Sequence, residues 1–238
     1  MKAMIFSAGL GTRFKPWTEH HPKALAPVNG KSLLQRNVEY LQKYGIYDVI
    51  VNVHHFAEQI EDTIQQHHGW GSRIQISDER KEVLETGGGL LKAASLFTPG
   101  EDFLTINVDI LTTLDLNAFL DFHRQHSPLV SLAISGRSSS RCFLFDTGMR
   151  LTGWKNLQTG AERIAIPSTD ARPYAFSGIS LFNHQIFEKL QLQGKFSLVD
   201  AYLDLAPSQR IMGFLHQNDN WVDVGKPESI AVAESLFS

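Results

Sequence analysis

Residues 6–23 read FSAGLGTRFKPWTEHHPK, and the apolar run that leads into them predicts the end of a buried strand. Gly9 and Gly11 favour a turn in which the backbone can come close to a ligand. A turn of this kind exposes backbone N–H donors, and the cations Arg13 and Lys23 beside it favour a phosphorylated ligand. The alternative interpretation is a tight strand–helix turn that carries two solvated cations.

Two common phosphate-binding loops do not fit this stretch. A dinucleotide-binding fingerprint requires a third glycine, where this chain has Phe14, and an acidic residue after the second strand, where it has His54 and His55. A P-loop requires a glycine five residues before its Gly-Lys-Ser, and the position five residues before Gly30 holds Leu25. A dinucleotide-dependent oxidoreductase and a P-loop enzyme are therefore both excluded.

The stretch resembles the signature of sugar-nucleotide pyrophosphorylases, the nucleotidyltransferases that join a nucleoside triphosphate to a sugar 1-phosphate. The loop AGLGTR at residues 8–13 matches that signature, and the matching residues continue with Pro16, Thr18, Pro22-Lys23 and Pro27-Val28. Four further blocks match in the family's order over nearly the whole chain: ETGGG at 85–89, NVD at 107–109, FSG at 176–178 and WVDVG at 221–225. The resemblance implies a Rossmann-like α/β fold with a mostly parallel central sheet, helices on both of its faces and a small antiparallel sugar-binding layer.

Length and composition suit one α/β domain that can bury a substantial core. Of the 238 residues, 42% are hydrophobic and 20% are charged, which is ordinary for a soluble enzyme. A net charge of −3 provides no basic field for nucleic acid, so anionic substrates must be held by a local pocket. The first apolar run is too short for a signal peptide, nothing approaches a membrane span, and Cys142 is the single cysteine. We therefore expect a cytoplasmic protein without an internal disulfide, and neither nucleic acid nor a membrane as its partner.

Apolar runs bounded by turn signals predict strands at Ala3–Ser7, Val49–Val53, Ile74–Ser77, Phe103–Asn107 and Val130–Ile134. Helical patterns lie at Ser32–Tyr44, with Ser32 as the cap and Gly45 as the stop, and at Ala57–His67, Leu90–Phe97 and Leu116–His126. Alternating strands and helices predict a parallel sheet covered on both faces, which binds ligands at the carboxyl ends of its strands. The glycine loop, His54-His55 and Asp109 each follow a predicted strand, so we expect them along one edge.

After about residue 135 the pattern changes to short strands separated by glycine-containing turns. The predicted strands are Cys142–Asp146, Leu151–Asn156 and Ile179–Phe182, and a closing helix is predicted at Ile230–Phe237. We expect these strands to form a smaller antiparallel layer that carries the sugar side of the site. The chain is thus interpreted as one nucleotidyltransferase domain over 1–238, with a nucleotide-binding half to about residue 134 and a sugar-binding half from about residue 135.

The reaction implied by the resemblance is an in-line attack of a sugar 1-phosphate oxygen on the α-phosphorus of a nucleoside triphosphate, with pyrophosphate leaving. The nucleophile is already an anion, so the reaction requires positioning and charge stabilisation in place of a general base. The resemblance assigns Mg²⁺ to Asp109 and Asp223. Two carboxylates are sufficient because Mg²⁺ also binds phosphate oxygens and water. For Asp109 the alternative interpretation is a helix N-cap.

Arg13 and Lys23 complete the implied catalytic set with Asp109. Arg13 is assigned to the triphosphate, where its fork of donors suits the departing pyrophosphate, and Lys23 is assigned to the phosphates at the reacting centre. The residues expected to bind the nucleotide are Ala8, Gly9, Gly11, Thr12, Arg13, Lys23, Gly87 and Gly88.

The sugar side is assigned through the block at residues 85–89, which in the family borders the base and the sugar. A glycine-rich helix entry is the alternative interpretation of this block. Lys155 stands where relatives place a lysine on the sugar phosphate, but it follows Trp154 instead of the usual acidic residue, which would suit an unusual sugar. Gly178 matches the glycine under the pyranose. The residues expected to bind the sugar phosphate are Glu85, Gly88, Lys155 and Gly178.

Within the family, the chain looks closest to N-acetylmuramate 1-phosphate uridylyltransferases, with mannose- and heptose-1-phosphate guanylyltransferases close behind. This favours UTP, although the backbone hydrogen bonds that select the base are not fixed by one sequence. The hypothesis from another class is a non-catalytic sugar-nucleotide-binding module. Such a module predicts the loss of Arg13, Asp109 or Asp223, and all three are present. The sequence carries no signal for the oligomeric state.

Overall fold

A computed structural model describes residues 1–237 of the chain. Its strands are β1 Ala3–Phe6, β2 Pro27–Val28, β3 Lys31–Ser32, β4 Asp48–Val53, β5 Arg73–Asp78, β6 Phe103–Asn107, β7 Ile110–Thr112, β8 Val130–Ser135, β9 Arg141–Phe145, β10 Leu151–Asn156, β11 Glu162–Ile164, β12 Arg172–Phe182, β13 Ile211–Leu215 and β14 Trp221–Asp223. Its helices are α1 Leu33–Gln42, α2 Ala57–Gln66, α3 Glu85–Lys92, α4 Leu116–His126, α5 Ile186–Lys189, α6 Leu198–Leu205 and α7 Ser229–Leu236. Across the described residues, no helix has both the length and the apolar character needed to cross a membrane.

A ten-stranded sheet runs through the molecule in the order β11-β10-β9-β12-β6-β1-β4-β5, with β8 joined to β12 and β13 joined to β8. β1 pairs in parallel with β4 and β6, and β4 pairs in parallel with β5. The carboxyl ends of these strands therefore lie along one edge of the sheet, as predicted. The glycine loop follows β1, and residues 107–109 lie at the end of β6. The sheet thus brings these two segments side by side.

Alternate residues of β1 point to opposite faces of the sheet. Ala3 and Ile5 belong to a core that α1, α2 and α4 cover, whereas Met4 and Phe6 belong to a second core with α3, α5 and α6. All four side chains are buried, and burial of a side chain as large as Met, Ile or Phe stabilises the fold by about 1.5–3 kcal/mol. The predicted central sheet with helices on both faces is confirmed.

The antiparallel strands predicted for the second part of the chain are present, and they continue the central sheet. β12 pairs antiparallel with β6, β8 and β9, while β10 pairs antiparallel with β9 and β11. β12 begins at Arg172, well before the predicted start at Ile179. The register of β12 against β8 shifts between Phe176 and Ser180, where Gly178 has a φ of +79°. This bulge interrupts the side-chain alternation from which strands are predicted.

A two-stranded ribbon connects the two parts of the chain. β7 and β14 pair antiparallel, with Ile110 opposite Asp223 and Thr112 opposite Trp221. The backbone N–H of Val224 donates to the carbonyl oxygen of Asp109 at 2.8 Å. The ribbon therefore carries Asp223 to Asp109 from a distant position in the sequence.

Helix boundaries agree with prediction where a local cap sets them. The Ser32 hydroxyl accepts a hydrogen bond from Gln35 N at the start of α1, and Asp115 caps α4. The predicted helix over 90–97 is wrong at its start, because α3 begins at Glu85 and contains all three glycines of the ETGGG block. Glycine is a weak helix former, so packing against other elements must stabilise this turn of α3.

Candidate active site

A cleft opens at the edge of the sheet where β1, β4 and β6 end. Its volume is about 440 Å³, which is within the range of pockets that enclose a nucleotide-sized ligand. Six of the residues predicted to bind the nucleotide line this cleft: Ala8, Gly9, Gly11, Thr12, Arg13 and Lys23. The structure thus brings the residues of the glycine loop together around one space.

The glycine loop owes its shape to two glycines with different functions. Gly11 has a φ of +60°, and a Cβ there would lie 2.9 Å from Thr18 Cγ2. The carbonyl oxygen of Gly11 accepts hydrogen bonds from Phe14 N at 2.8 Å and from Thr18 Oγ1 at 2.9 Å, which fixes the turn. A Cβ on Gly9 would have no protein atom within 4 Å, so this glycine leaves open space on the side of the cleft. Gly11 is required by the turn, whereas Gly9 leaves room for a ligand.

Two cationic side chains, Arg13 and Lys23, line the cleft, and they differ in exposure and in pairing with carboxylates. Arg13 is exposed, and among residues 1–237 no carboxylate lies within salt-bridge distance of it. Lys23 is 10% exposed, and its Nζ donates to Asp109 Oδ2 at 2.6 Å. Arg13 is therefore available for an anionic ligand, while Lys23 holds the carboxylate of Asp109 in place.

Asp109 and Asp223 lie close together at the end of the β7–β14 ribbon, where Asp223 is opposite Ile110 and the charge of Asp109 acts on it. Desolvation by the surrounding protein raises the pKa of Asp223, although part of its surface is exposed, and the nearby charge of Asp109 raises that pKa further. Lys23 and Arg13 act on the same carboxyl in the opposite direction. Asp109 is not a helix cap, because α4 starts at Leu116 and is capped by Asp115. The two carboxylates and the two cations therefore form one cluster of charge.

This cluster has the chemistry of a site that a divalent cation shares with a substrate. Within the described residues, no group of three or more His, Cys, Asp or Glu side chains converges to hold a metal by itself. Asp109 and Asp223 provide hard oxygen donors close enough for the charge of Asp109 to raise the pKa of Asp223, and Mg²⁺ takes one or two carboxylates together with phosphate oxygens and water. The residues present thus fit a magnesium ion bound jointly by Asp109, Asp223 and a phosphorylated substrate.

A buried carboxylate that sequence reasoning missed lies at the back of the cleft. Glu79 is fully buried; its Oε1 accepts from Asn52 Nδ2 at 2.7 Å and its Oε2 accepts from Leu84 N at 3.2 Å. Asn52 Oδ1 in turn accepts from Ser7 N at 2.7 Å. These hydrogen bonds connect the ends of β1, β4 and β5 to the segment before α3. The signal in the sequence was a polar residue at the end of each of three apolar strands.

Gly87 and Gly88 lie on the buried side of α3. Their N–H groups donate to the carbonyl oxygen of Phe196 at 2.9 and 3.2 Å. A Cβ on Gly87 would lie 2.3 Å from the Phe196 ring, and one on Gly88 would lie 2.1 Å from the carbonyl oxygen of Gly194. Close packing of α3 against Phe196 and Gly194 thus explains why these two positions are glycine. This agrees with the alternative interpretation of residues 85–89 as a glycine-rich helix entry. Within residues 1–237 the block reaches the cleft lining through Glu85, which has a φ of +60°, and Thr86.

Of the predicted sugar residues, Glu85 lines the cleft, whereas Gly88, Lys155 and Gly178 lie outside its main lining. Gly178 adjoins it, because a Cβ there would lie 3.3 Å from Asn107 Nδ2 and 2.6 Å from Ile110 Cγ1. Lys155 lies on β10, and its Nζ pairs with Glu162 at 3.1 Å. At Gly178, β12 therefore packs so closely against Ile110 that a side chain would not fit, whether or not a sugar binds there. Lys155 would have to leave its partner to reach a phosphate.

Three side chains that sequence reasoning missed hold the bulge of β12. Arg137 Nη2 donates to the carbonyl oxygen of Phe176 at 2.7 Å, Trp221 Nε1 donates to that of Ser177 at 3.0 Å, and His216 contacts the Ser177 hydroxyl. His216 also pairs with Asp219, so the three side chains are connected serine to histidine to aspartate, as in a hydrolase triad. Ser177 is fully buried, however, and no acyl substrate can reach its hydroxyl. The arrangement is a support for the bulge.

Residues 2–237 match the nucleotidyl transferase family. The chain belongs to this family. The enzyme is 30% identical over 243 residues to the N-acetylmuramate alpha-1-phosphate uridylyltransferase of Caulobacter vibrioides, with 99% of this chain and 96% of the relative covered. It is 26% identical over 248 residues to the mannose-1-phosphate guanylyltransferase catalytic subunit beta of Xenopus tropicalis, with 100% of this chain and 64% of the relative covered.

The fold of the enzyme is similar to solved structures over its whole length. HddC from Yersinia pseudotuberculosis, complexed with GMP-PN, superimposes with a TM-score of 0.79 at 22% identity, covering 100% of this chain and 99% of that chain. A putative glucose-1-phosphate thymidylyltransferase from Bacillus anthracis also gives a TM-score of 0.79, at 16% identity with 99% and 94% covered. The enzyme is thus a sugar-1-phosphate nucleotidyltransferase, a transferase of sugar-nucleotide biosynthesis.

Proposed function

We propose that the enzyme condenses UTP with an N-acetylmuramate-like sugar 1-phosphate to give a UDP-sugar and pyrophosphate. The observation that carries the reaction is that Asp109, Arg13 and Lys23 line one cleft at the edge of the sheet, with Asp223 within electrostatic reach of all three. The relative from Caulobacter vibrioides supports the sugar and the base. The cytoplasm, where nucleoside triphosphates are available and the buried thiol of Cys142 stays reduced, is the proposed location.

The charged residues act on the transferred phosphorus and on the leaving group. In this proposal Asp109 and Asp223 hold Mg²⁺, which when bound neutralises negative charge on the phosphate oxygens. Lys23 orients Asp109 and contributes its own charge at the reacting centre. Arg13, which has no carboxylate partner in the described part of the chain, binds the triphosphate and stabilises departing pyrophosphate. These contacts strengthen as charge moves onto the leaving group, which is the condition for catalysis.

The remaining assignments divide the chain between the two substrates. Residues up to about 134 hold the nucleotide, with Ala8, Gly9, Gly11 and Thr12 around its phosphates, while residues from about 135 hold the sugar. Gly178 lies under the sugar, and Lys155 binds its phosphate after release from Glu162. Glu85 lies at the border between the two substrates, and Gly87 and Gly88 support it through the packing of α3.

A second candidate is the transfer of a guanylyl group to mannose 1-phosphate or heptose 1-phosphate. It is favoured by the guanylyltransferase relative at 26% identity and by the fold similarity to HddC complexed with GMP-PN. A non-catalytic binding module is disfavoured, because Arg13 forms no salt bridge to a carboxylate of residues 1–237 and the two aspartates are kept together at a cost in repulsion.

The proposal is tested by a pyrophosphate-release screen of the purified enzyme with Mg²⁺, the four common nucleoside triphosphates and a panel of sugar 1-phosphates. We expect release with UTP and N-acetylmuramate 1-phosphate, and none from Asp109→Asn or after chelation of the metal. Faster release with GTP and mannose or heptose 1-phosphate would favour the second candidate. Binding of a UDP-sugar without release from any pair would favour the binding module.

A further inference from the structure

We propose that Arg137 is a specificity-determining residue that binds a carboxylate carried by the sugar ring of the substrate. The inference rests on the proposed function, because it concerns the sugar 1-phosphate of that reaction. It narrows the substrate class to sugar 1-phosphates with an acidic substituent.

Two contacts fix the guanidinium of Arg137. Its Nη2 donates to the carbonyl oxygen of Phe176 at 2.7 Å, and its Cζ lies 3.8 Å from the centre of the Trp221 ring. The ring of Trp221 is held in turn by the hydrogen bond from its Nε1 to Ser177. A planar guanidinium stacked on a fixed ring loses little entropy when it binds a ligand. Arg137 is therefore preorganised beside the bulge that contains Gly178.

Arg137 lies on the same wall as the metal-binding carboxylates. Trp221 and Asp223 are two residues apart in β14, so their side chains share one face, while Val222 between them is buried in the core. The spacing along a strand places the two side chains roughly 7 Å apart. Asp223 and Arg137 influence each other electrostatically. The guanidinium thus extends the wall of the site from Asp223 towards the sugar side.

In the part of the chain that the structure describes, the charge of Arg137 lacks an ion-pair partner. Among residues 1–237 no carboxylate lies within 4 Å of its guanidinium, and its buried Nε donates to no protein atom. Burial lowers the pKa of Arg137, so the surroundings disfavour an isolated guanidinium. Lys155 on the neighbouring β10 differs, because Glu162 neutralises it. An anion from outside would complete the surroundings of Arg137.

The position of Arg137 favours a carboxylate on the ring over the 1-phosphate. The 1-phosphate must reach the α-phosphorus beside Asp109 and Lys23, whereas Arg137 stacks on Trp221, further along the wall than Asp223. A ring substituent on the far side of the sugar from its phosphate would face the guanidinium. The fork of donors on arginine matches the two oxygens of a carboxylate.

The test compares two substrates that differ by one acidic group. N-acetylmuramate 1-phosphate and N-acetylglucosamine 1-phosphate share the ring and phosphate, and the first adds a lactyl ether with a carboxylate. We expect Arg137→Gln to lower kcat/KM for the acidic sugar by about 10–100-fold, as for the loss of a charge-assisted hydrogen-bonded pair, mainly through KM. The neutral sugar should change less than about 3-fold, which is within the range of a peripheral contact. Arg137→Lys should retain part of the preference.

Arg124→Gln on α4 is the matched control, because it removes the same charge from an exposed position. Equal losses for both sugars in Arg137→Gln would overturn the inference and assign Arg137 to the 1-phosphate or to support of the bulge. A wild-type enzyme that prefers the neutral sugar would also overturn it, while leaving the transfer reaction intact. Calorimetric binding of both sugar phosphates gives the same comparison without turnover. Equal affinities of the wild type for the two would reject the role of Arg137 even if the transfer reaction is not observed.

Discussion

His216 Nε2 lies 2.7 Å from the hydroxyl of Ser177, although the two residues are 39 positions apart in the chain. The other ring nitrogen, Nδ1, lies 2.7 Å from Asp219 Oδ1. A carboxylate accepts and does not donate, so Nδ1 donates to Asp219, and the hydroxyl of Ser177 is the hydrogen-bond partner of Nε2. Thr112 Oγ1 donates to the second oxygen of Asp219 at 3.2 Å. The bulge of β12 is thereby tied to the β7–β14 ribbon that carries Asp223.

We expect His216→Ala to weaken both the fold and the binding of the sugar. The hydroxyl of Ser177 and the carboxylate of Asp219 would lose a partner, which lowers the free energy of unfolding by about 1–3 kcal/mol. KM for the sugar 1-phosphate should rise more than KM for the nucleotide, because the bulge lies on the sugar side. The measurements are denaturant unfolding and initial rates, with His184→Ala near α5 as the control. Equal changes in both KM values would show that His216 stabilises the fold without positioning the sugar side.

We expect Arg13→Ala to lower turnover by about 10²–10³-fold, the usual loss for one preorganised electrostatic contact to a transition state. Because Arg13 is exposed and has no salt bridge in the described residues, the variant should unfold at the same temperature as the wild type. Pyrophosphate release at saturating substrate measures the effect. Lys15→Ala is a matched control, since Lys15 is exposed on the same loop and pairs with Glu19. Turnover near that of the wild type would remove Arg13 from the mechanism.

The sequence correctly predicted the helices and strands that are determined by their own residues. β6 agrees with its apolar run, α4 agrees with its pattern, and α1 starts after the serine that caps it. The start of α3 was missed because its glycines are poor helix formers in isolation, and they become helical through contact with Phe196 and Gly194.

The sequence predicted the residues of the site individually, but it did not predict the contacts between their side chains. The glycine loop and the two aspartates follow from the resemblance, since each occurs within a short block. The pairing of Lys23 with Asp109 and the contacts of Arg137 and His216 depend on the ribbon and the bulge. Neither feature leaves an alternating pattern in the sequence, so long-range side-chain contacts of this kind appear only in the folded chain.

We expect Gly88→Ala to reduce the stability of the fold and Gly9→Ala to weaken binding of the nucleotide. A methyl group on Gly88 would lie 2.1 Å from the backbone of Gly194, and overpacking of this kind costs about 1–3 kcal/mol of stability. A methyl group on Gly9 would meet no protein atom within 4 Å, so the fold should be unaffected while KM for the nucleotide rises. Thermal unfolding and initial rates distinguish the two effects. An unchanged KM in Gly9→Ala would mean that the phosphates do not approach this part of the loop.

We expect Asp223→Asn to stabilise the metal-free protein at neutral pH while abolishing transfer. The pKa of Asp223 is raised by burial and by Asp109, so folding favours its neutral form. The ionised carboxylate therefore opposes folding, and this loss of stability develops as the pH rises from the usual aspartate pKa of 3.8 through the raised value. Asparagine removes both the desolvated charge and the repulsion from Asp109. Stability gained at the expense of activity is typical of an active-site substitution.

Thermal unfolding in the presence of a chelator, followed from acidic to neutral pH, measures this difference between wild type and variant. The two melting curves should coincide below the usual aspartate pKa, where Asp223 is neutral in the folded and unfolded states alike, and separate above it. Added Mg²⁺ should then stabilise the wild type more than the variant, because the wild type retains both carboxylates. Asp121→Asn, at an exposed position on α4, controls for the change in net charge. A variant that is less stable than the wild type at neutral pH would mean that Lys23 and Arg13 outweigh burial and Asp109 at this carboxyl, and the aspartates would then require no metal to stay together.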